Sequence, residues 1–163
     1  MSAPVRTLGA AAAAVRAGEI TSAQLVDEAI AAADAWDATI GTYIVRYDDQ
    51  ARAAAEAADA AVAAGDALGP LHGVPIGVKD ILAAREGPTT AQSVVADPEW
   101  GIGGDAVAVA RLREAGAVVM GKTSTMEFAV GLPDATKPFP VPRNPWDPSR
   151  YTGGSSSGSA SGL

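Results

Sequence analysis

The chain has 163 residues, no cysteine, and 12 Lys and Arg against 19 Asp and Glu, for a net charge of −7. That length suits one ordinary domain, and the missing thiols exclude a disulfide scaffold. The acidic balance and the lack of any basic run argue against binding to nucleic acid or an anionic membrane surface. Charged residues are only 19% of the chain, too few for a disordered segment. The hydrophobic fraction is 48%, but 37 residues are alanine and aromatics make up 5%. A methyl group removes little apolar surface from water, at about 25 cal/mol per Å², so the core is thinner than the percentage implies.

At the N-terminus, Arg6 and an alanine run faintly resemble a secretory leader. Only two large apolar residues lie between Leu8 and Val15, however, and Arg16 and Glu19 close the stretch. No segment approaches the roughly 20 apolar residues that span a bilayer. The expected location is cytoplasmic, with no membrane partner.

Along the chain, residues 1–68 read as mostly helical. One helix covers Leu8 to Ala17 and stops at Gly18. Thr21 with Gln24 forms a capping box that opens a second helix to about Trp36, with Val26, Ile30 and Ala33 inward. Thr42 to Tyr47 reads as a strand. Asp48 to Ala64 reads as a helix with an Arg52–Glu56 pair, ending at Gly65. From residue 69 the texture changes. Val74 to Val78 is a short apolar strand, and residues 86–104 form a long loop of the kind often used for function. Asp105 caps a helix to Ala115 with Val107, Ala110 and Leu112 inward, and Gly116 ends it. Ala117 to Met120 is a buried strand, and Ser124 begins a helix to about Val130. Residues 132–149 hold six prolines and no periodicity, so they read as irregular. Helix, strand and helix in succession predict an α/β layer.

Four features carry possible chemistry. Residues 116–123, GAVVMGKT, fit a phosphate-loop pattern. Their middle residues are a β-branched strand that cannot readily curl into an anion nest, so Lys122 reads as a strand-end lysine. The terminal GGSSSGSASGL is either a flexible linker or a loop presenting hydroxyls and N–H groups. Lys79 closes an apolar strand, where strand ends commonly carry function; it is either an exposed lysine paired with Asp80 or a desolvated base. His72, the only histidine, lies in a turn without a partner and reads as structural. A Ser–His–Asp triad and paired Cys or His metal ligands are thus unsupported.

Three ordered blocks, GPLHGVPIGVKD, REAGAVVMGKTSTMEFAVG and RNPWDPSRYTGGSSSGSASG, resemble the amidase signature family. The likeness is strong from residue 69 onward and weaker in ITSAQLVDEAI. It implies a mixed α/β sheet flanked by helices, incomplete here, with residues 1–68 as an N-terminal helical segment and 69–163 as part of the core of the same domain. It also implies a Ser–cis-Ser–Lys triad, no cofactor and a small amide substrate. Carried over by motif, Lys79 is the general base and Ser155, after Gly153 and Gly154, is the bridging serine beside a cis peptide. Ser156 helps orient the lysine.

The family's nucleophile and oxyanion donors lie in a second Gly-rich block, expected beyond Leu163, so these 163 residues alone are expected to be inactive. Ser157, Ser159 and Ser161 belong to the first block and do not replace the nucleophile. Ser157 stands where many relatives have glycine. The leading expectation is a stand-alone amidase, mildly favoured by Thr125-Met126-Glu127-Phe128 and the Pro-rich loop, with a homodimer possible. The alternatives are the amidase subunit of a tRNA-dependent amidotransferase, with its partner subunits, and a non-catalytic fragment or pseudoenzyme.

Overall fold

The computed structural model describes residues 6–163; the first five residues of the leader-like stretch lie outside the described residues. Helix α1 (Leu8–Arg16) begins where the Thr7 hydroxyl accepts the Ala10 N–H, and Gly18 follows at φ +69°. Helix α2 (Ser22–Ile40) has both halves of the Thr21–Gln24 capping box, at 2.9 and 3.0 Å. It passes Trp36 and ends only at Gly41, whose left-handed φ of +64° stops it. Strand β1 (Tyr43–Arg46) and helix α3 (Asp48–Ala64) follow. Arg52 does not take the expected Glu56; its guanidinium reaches Asp27 on α2 at 3.1 Å and Asp49 at 3.7 Å, because α2 packs alongside.

Strand β2 (Pro75–Lys79) runs parallel to β3 (Val118–Thr123), and β1 is antiparallel to β3 on its other side. Parallel neighbours need a crossover, supplied by helix α4 (Val107–Glu114). The start and inward face of α4 differ from expectation. Ala106 is the N-cap, while Asp105 accepts from the Arg85 N–H and pairs with Arg113 at 2.9 Å. Val109 is fully buried, whereas Val107 and Leu112 are exposed. The inward stripe is Ala106, Val109, Ala110 and Arg113, at i, i+3, i+4 and i+7; Val107 and Leu112 lie off it.

Strand β3 outlasts the expected Met120 by three residues, and all six of its residues are buried. The helix expected from Ser124 shrinks to one 3₁₀ turn, Glu127–Ala129. Tertiary partners take the groups that a helix would use: Ser124 N–H donates to Thr42 O, the Ser124 hydroxyl to Gly41 O, and Thr125 N–H to Gln92 Oε1. The Pro-rich stretch is not wholly irregular either. β4 (Arg143–Asn144) and β5 (Asp147–Tyr151) form an antiparallel pair around Pro145-Trp146. A short helix, α5 (Ser157–Ser161), is the last element.

The core has two faces. Val26, Ile30, Ala51 and Ala55 from α2 and α3 cover Val118 and Met120. On the other face Tyr47, Val78, Ala84, Val109 and Val119 meet. Alanine thus serves as a spacer: Ala51 and Ala55 bring α3 close to the sheet, and Ala11 and Ala12 bring α1 onto Leu25 and Val74. No helix among the described residues is long and apolar enough to cross a membrane.

Candidate active site

Side chains alternate between faces along a strand, and that alternation sorts the charges here. Lys79 is in register with Thr123, and Val78 with Lys122. The ladder continues one step, as Asp80 N–H donates to Thr123 O at 3.1 Å. Lys79 and Asp80 therefore leave the sheet on opposite sides, and Asp80 shares a side with Lys122. A one-residue irregularity between Ile76 and Gly77, opposite Met120, puts Lys122 on the Val119 side and not on the Met120 side under α2 and α3.

Asp80 and Lys122 form a buried ion pair at 3.2 Å, with side-chain exposures of 1% and 0%. Lys122 also donates to the Thr89 hydroxyl at 2.7 Å. The carboxylate accepts from the Thr90 hydroxyl at 2.5 Å, the Thr90 N–H at 3.1 Å and the Gln92 N–H at 3.4 Å. Lys122 is indeed near the end of its strand, one residue before the last of β3, but it is buried there and neutralises Asp80. Burial pushes its amine below the ordinary lysine value, while Asp80 pulls it back. Residues 118–123 of the phosphate-loop pattern are the extended strand β3 itself. His72 is structural, its Nε2 2.9 Å from Ala58 O.

Ser155 approaches Lys79 from the loop between β5 and α5. Gly153 takes φ +82°, where L side chains are disfavoured, and the Gly154–Ser155 peptide is cis. The far end of the loop is seated by close backbone approach. Gly158 N–H donates to Ser124 O at 2.8 Å, and a Cβ at Gly158 would collide with the backbone of Thr42 and Ser124. Ser161 shares a hydrogen bond with Thr42 at 3.1 Å, and the Gly/Ser tail is folded against β2, β3 and β4. The Ser155 carbonyl accepts from the Thr125 hydroxyl at 2.9 Å and the Met126 N–H at 3.2 Å.

These constraints bring together residues 76 apart in sequence: Lys79 Nζ donates to Ser155 Oγ at 2.7 Å. Burial alone pushes the Lys79 amine below the ordinary lysine value. With the amine neutral, the same pair can run in reverse, Ser155 O–H donating to nitrogen. Ser156 is exposed at the N-cap of α5 and has no hydrogen bond to Lys79. Asp80, Gln92, Thr125 and Gly158, which hold this arrangement, are absent from the sequence-based candidate set. Asp80, Thr125 and Gly158 fall inside the three signature blocks and Gln92 lies outside them, but each acts through a contact made only by the fold.

The Amidase family profile matches residues 24–163. The chain is 42% identical to a glutamyl-tRNA(Gln) amidotransferase subunit of Anaeromyxobacter sp. (strain K) over 156 residues, which cover 94% of this chain and 31% of that protein. Among solved structures it resembles the native peptide amidase of Stenotrophomonas maltophilia (TM-score 0.81, 32% identity, 94% of this chain and 33% of that one). It also resembles a bacterial aryl acylamidase of the amidase signature enzymes (TM-score 0.85, 25% identity, 96% and 32%). The chain spans about a third of the length of the relatives it matches. With its own Lys79–Ser155 pair in the order of the signature blocks, the chain belongs to the amidase family.

Proposed function

We propose that these residues supply the base and the bridging serine of a hydrolase of carboxylic amides, as part of a larger domain. The observation that carries the reading is the 2.7 Å contact between Lys79 Nζ and Ser155 Oγ across 76 residues of sequence. Neutral Lys79 takes the Ser155 proton while Ser155 takes one from a nucleophilic serine outside these 163 residues. The serine oxygen attacks the amide carbonyl, the C–N bond breaks, and the proton returns through Ser155 to the leaving amine. Water then cleaves the acyl-enzyme by the same relay. Gly153 and Gly154 give the loop its shape, and the oxyanion donors come with the nucleophile. A cytoplasmic location belongs to the same proposal.

Release of amine or ammonia from simple aliphatic and aromatic amides by the full-length protein tests this reading. The sign of its pH dependence is set by Lys79, which must lose a proton before it can accept one. The ratio kcat/KM is expected to rise with pH, with a midpoint below the unperturbed lysine value of about 10.4, because burial destabilises the charged amine. A rate with no rising limb at any pH below the ordinary lysine value of about 10.4 contradicts Lys79 as base.

A second reading has one specific support, the 42% identity to the glutamyl-tRNA(Gln) amidotransferase protein. In it the same chemistry liberates ammonia for a misacylated tRNA, and partner subunits supply the tRNA contact that a chain of net charge −7 lacks. Amide hydrolysis that needs no other protein favours the stand-alone enzyme; hydrolysis that appears only in a complex favours the second.

A further inference from the structure

Ser155 Oγ can meet Lys79 only if the peptide carrying it is held from behind, and the structure assigns that task to two buried side chains, Gln92 and Thr125. Gln92 sits in a turn with consecutive left-handed residues, Ala91 at φ +50° and itself at φ +52°. Such angles are uncommon for residues other than glycine and persist where surrounding contacts over-determine them. The Gln92 N–H lies on Asp80 at 3.4 Å and on the Thr90 hydroxyl at 3.1 Å, and Ala91 O accepts from the Phe128 N–H at 2.9 Å. The side chain, 6% exposed, has both ends of its amide satisfied: Oε1 accepts the Thr125 N–H at 2.8 Å and Nε2 donates to Pro140 O at 3.1 Å.

Thr125 is 1% exposed. Its hydroxyl has one proton and two carbonyls in reach, Ser155 O at 2.9 Å and Met126 O at 3.1 Å. The result is a closed ring. Lys79 is bonded to Asp80, Asp80 fixes Gln92, Gln92 fixes the Thr125 peptide, Thr125 fixes the Ser155 carbonyl, and the Ser155 hydroxyl returns to Lys79. Neither Gln92 nor Thr125 touches the reacting hydroxyl, so both are positioning residues, which act through the aim of Ser155. A misplacement of about 1 Å in such a pair costs about 100-fold in rate.

This inference rests on the reading of Lys79 and Ser155 as a proton relay, and the experiment separates the two. In the full-length protein, amide turnover is compared for Thr125→Val, Thr125→Ser, Gln92→Leu, Gln92→Glu and, as controls, Lys79→Ala and Ser155→Ala. Thr125→Val keeps the shape and removes the donor; kcat is expected to fall about 10–100-fold with KM unchanged, and Thr125→Ser to restore it. Gln92→Leu behaves like Thr125→Val, while Gln92→Glu keeps the acceptor for Thr125 N–H and loses less. The pH midpoint set by Lys79 should move in the Val and Leu variants and not in the Ser variant. If Thr125→Val does not fold, Gln92→Leu and the Thr125→Ser pH profile carry the test. Wild-type kcat and pH profile in Thr125→Val and Gln92→Leu overturn the positioning role while leaving the relay intact. Full turnover in the Lys79→Ala and Ser155→Ala controls overturns the relay itself.

Discussion

Lys79→Ala in the full-length protein is expected to lower both amide turnover and labelling by a serine-directed fluorophosphonate by about 10²–10⁴-fold, the usual contribution of a positioned general base. Of the other two lysines, Lys122 is buried on the other side of the sheet and tied to Asp80 and Thr89, and Lys137 is paired with Glu127, so neither is expected to take over. Ser155→Ala breaks the same relay one step later, at the hydroxyl 2.7 Å from the amine. Residues that act as a unit give non-additive losses. The double variant is therefore expected to lose no more than the worse single one. Fully additive losses would mean that Lys79 and Ser155 act independently, and undiminished labelling in Lys79→Ala would exclude it as base. Lys79→Arg should not rescue, because a guanidinium stays protonated at every usable pH.

The largest expected effect on stability is at Asp80. Asp80→Ala leaves Lys122 fully buried without its counter-charge and releases Thr90 and Gln92 from their common acceptor. Breaking a buried pair from one side typically costs about 3–5 kcal/mol, and urea-induced unfolding should shift accordingly. Replacing both charges, Asp80→Asn with Lys122→Met, should cost clearly less, because no unpaired charge remains in the interior. A loss of under about 1 kcal/mol in Asp80→Ala, the scale of an exposed pair, would contradict the burial assigned to the pair. Because Asp80 also holds Gln92, the single variant is expected to lose turnover alongside stability.

Much of the frame was legible from local rules. Thr21 with Gln24 marks the start of α2 and Gly65 the end of α3 by capping chemistry that the next few residues decide, whereas α2 runs past the expected Trp36 to Gly41. Lys79 and Ser155 were legible as a pair through the ordered signature blocks; strand-end position alone left Lys79 between two readings. The departures share one cause, which is that distant partners override local propensity. Ser124 looks like a helix N-cap until the Gly41 and Thr42 carbonyls take its hydroxyl and N–H. Asp105 looks like a cap until Arg113 and the Arg85 N–H claim it. Asp80 looks like a partner for Lys79 until strand alternation sends the two to opposite sides. Gln92 lies outside the signature blocks and Thr125 inside one, but the role of each was hidden, since it lies in hydrogen bonds to residues 33 and 30 positions away.

The most direct test of the central claim, that Ser155 bridges between Lys79 and a separate nucleophile, is to map the covalent adduct. The full-length protein is treated with a fluorophosphonate, digested, and its modified peptide sequenced by mass spectrometry. The expected adduct lies on a serine outside residues 1–163, with Ser155 unmodified and the adduct lost in Lys79→Ala. An adduct on Ser155 would make that serine the nucleophile and contradict the account.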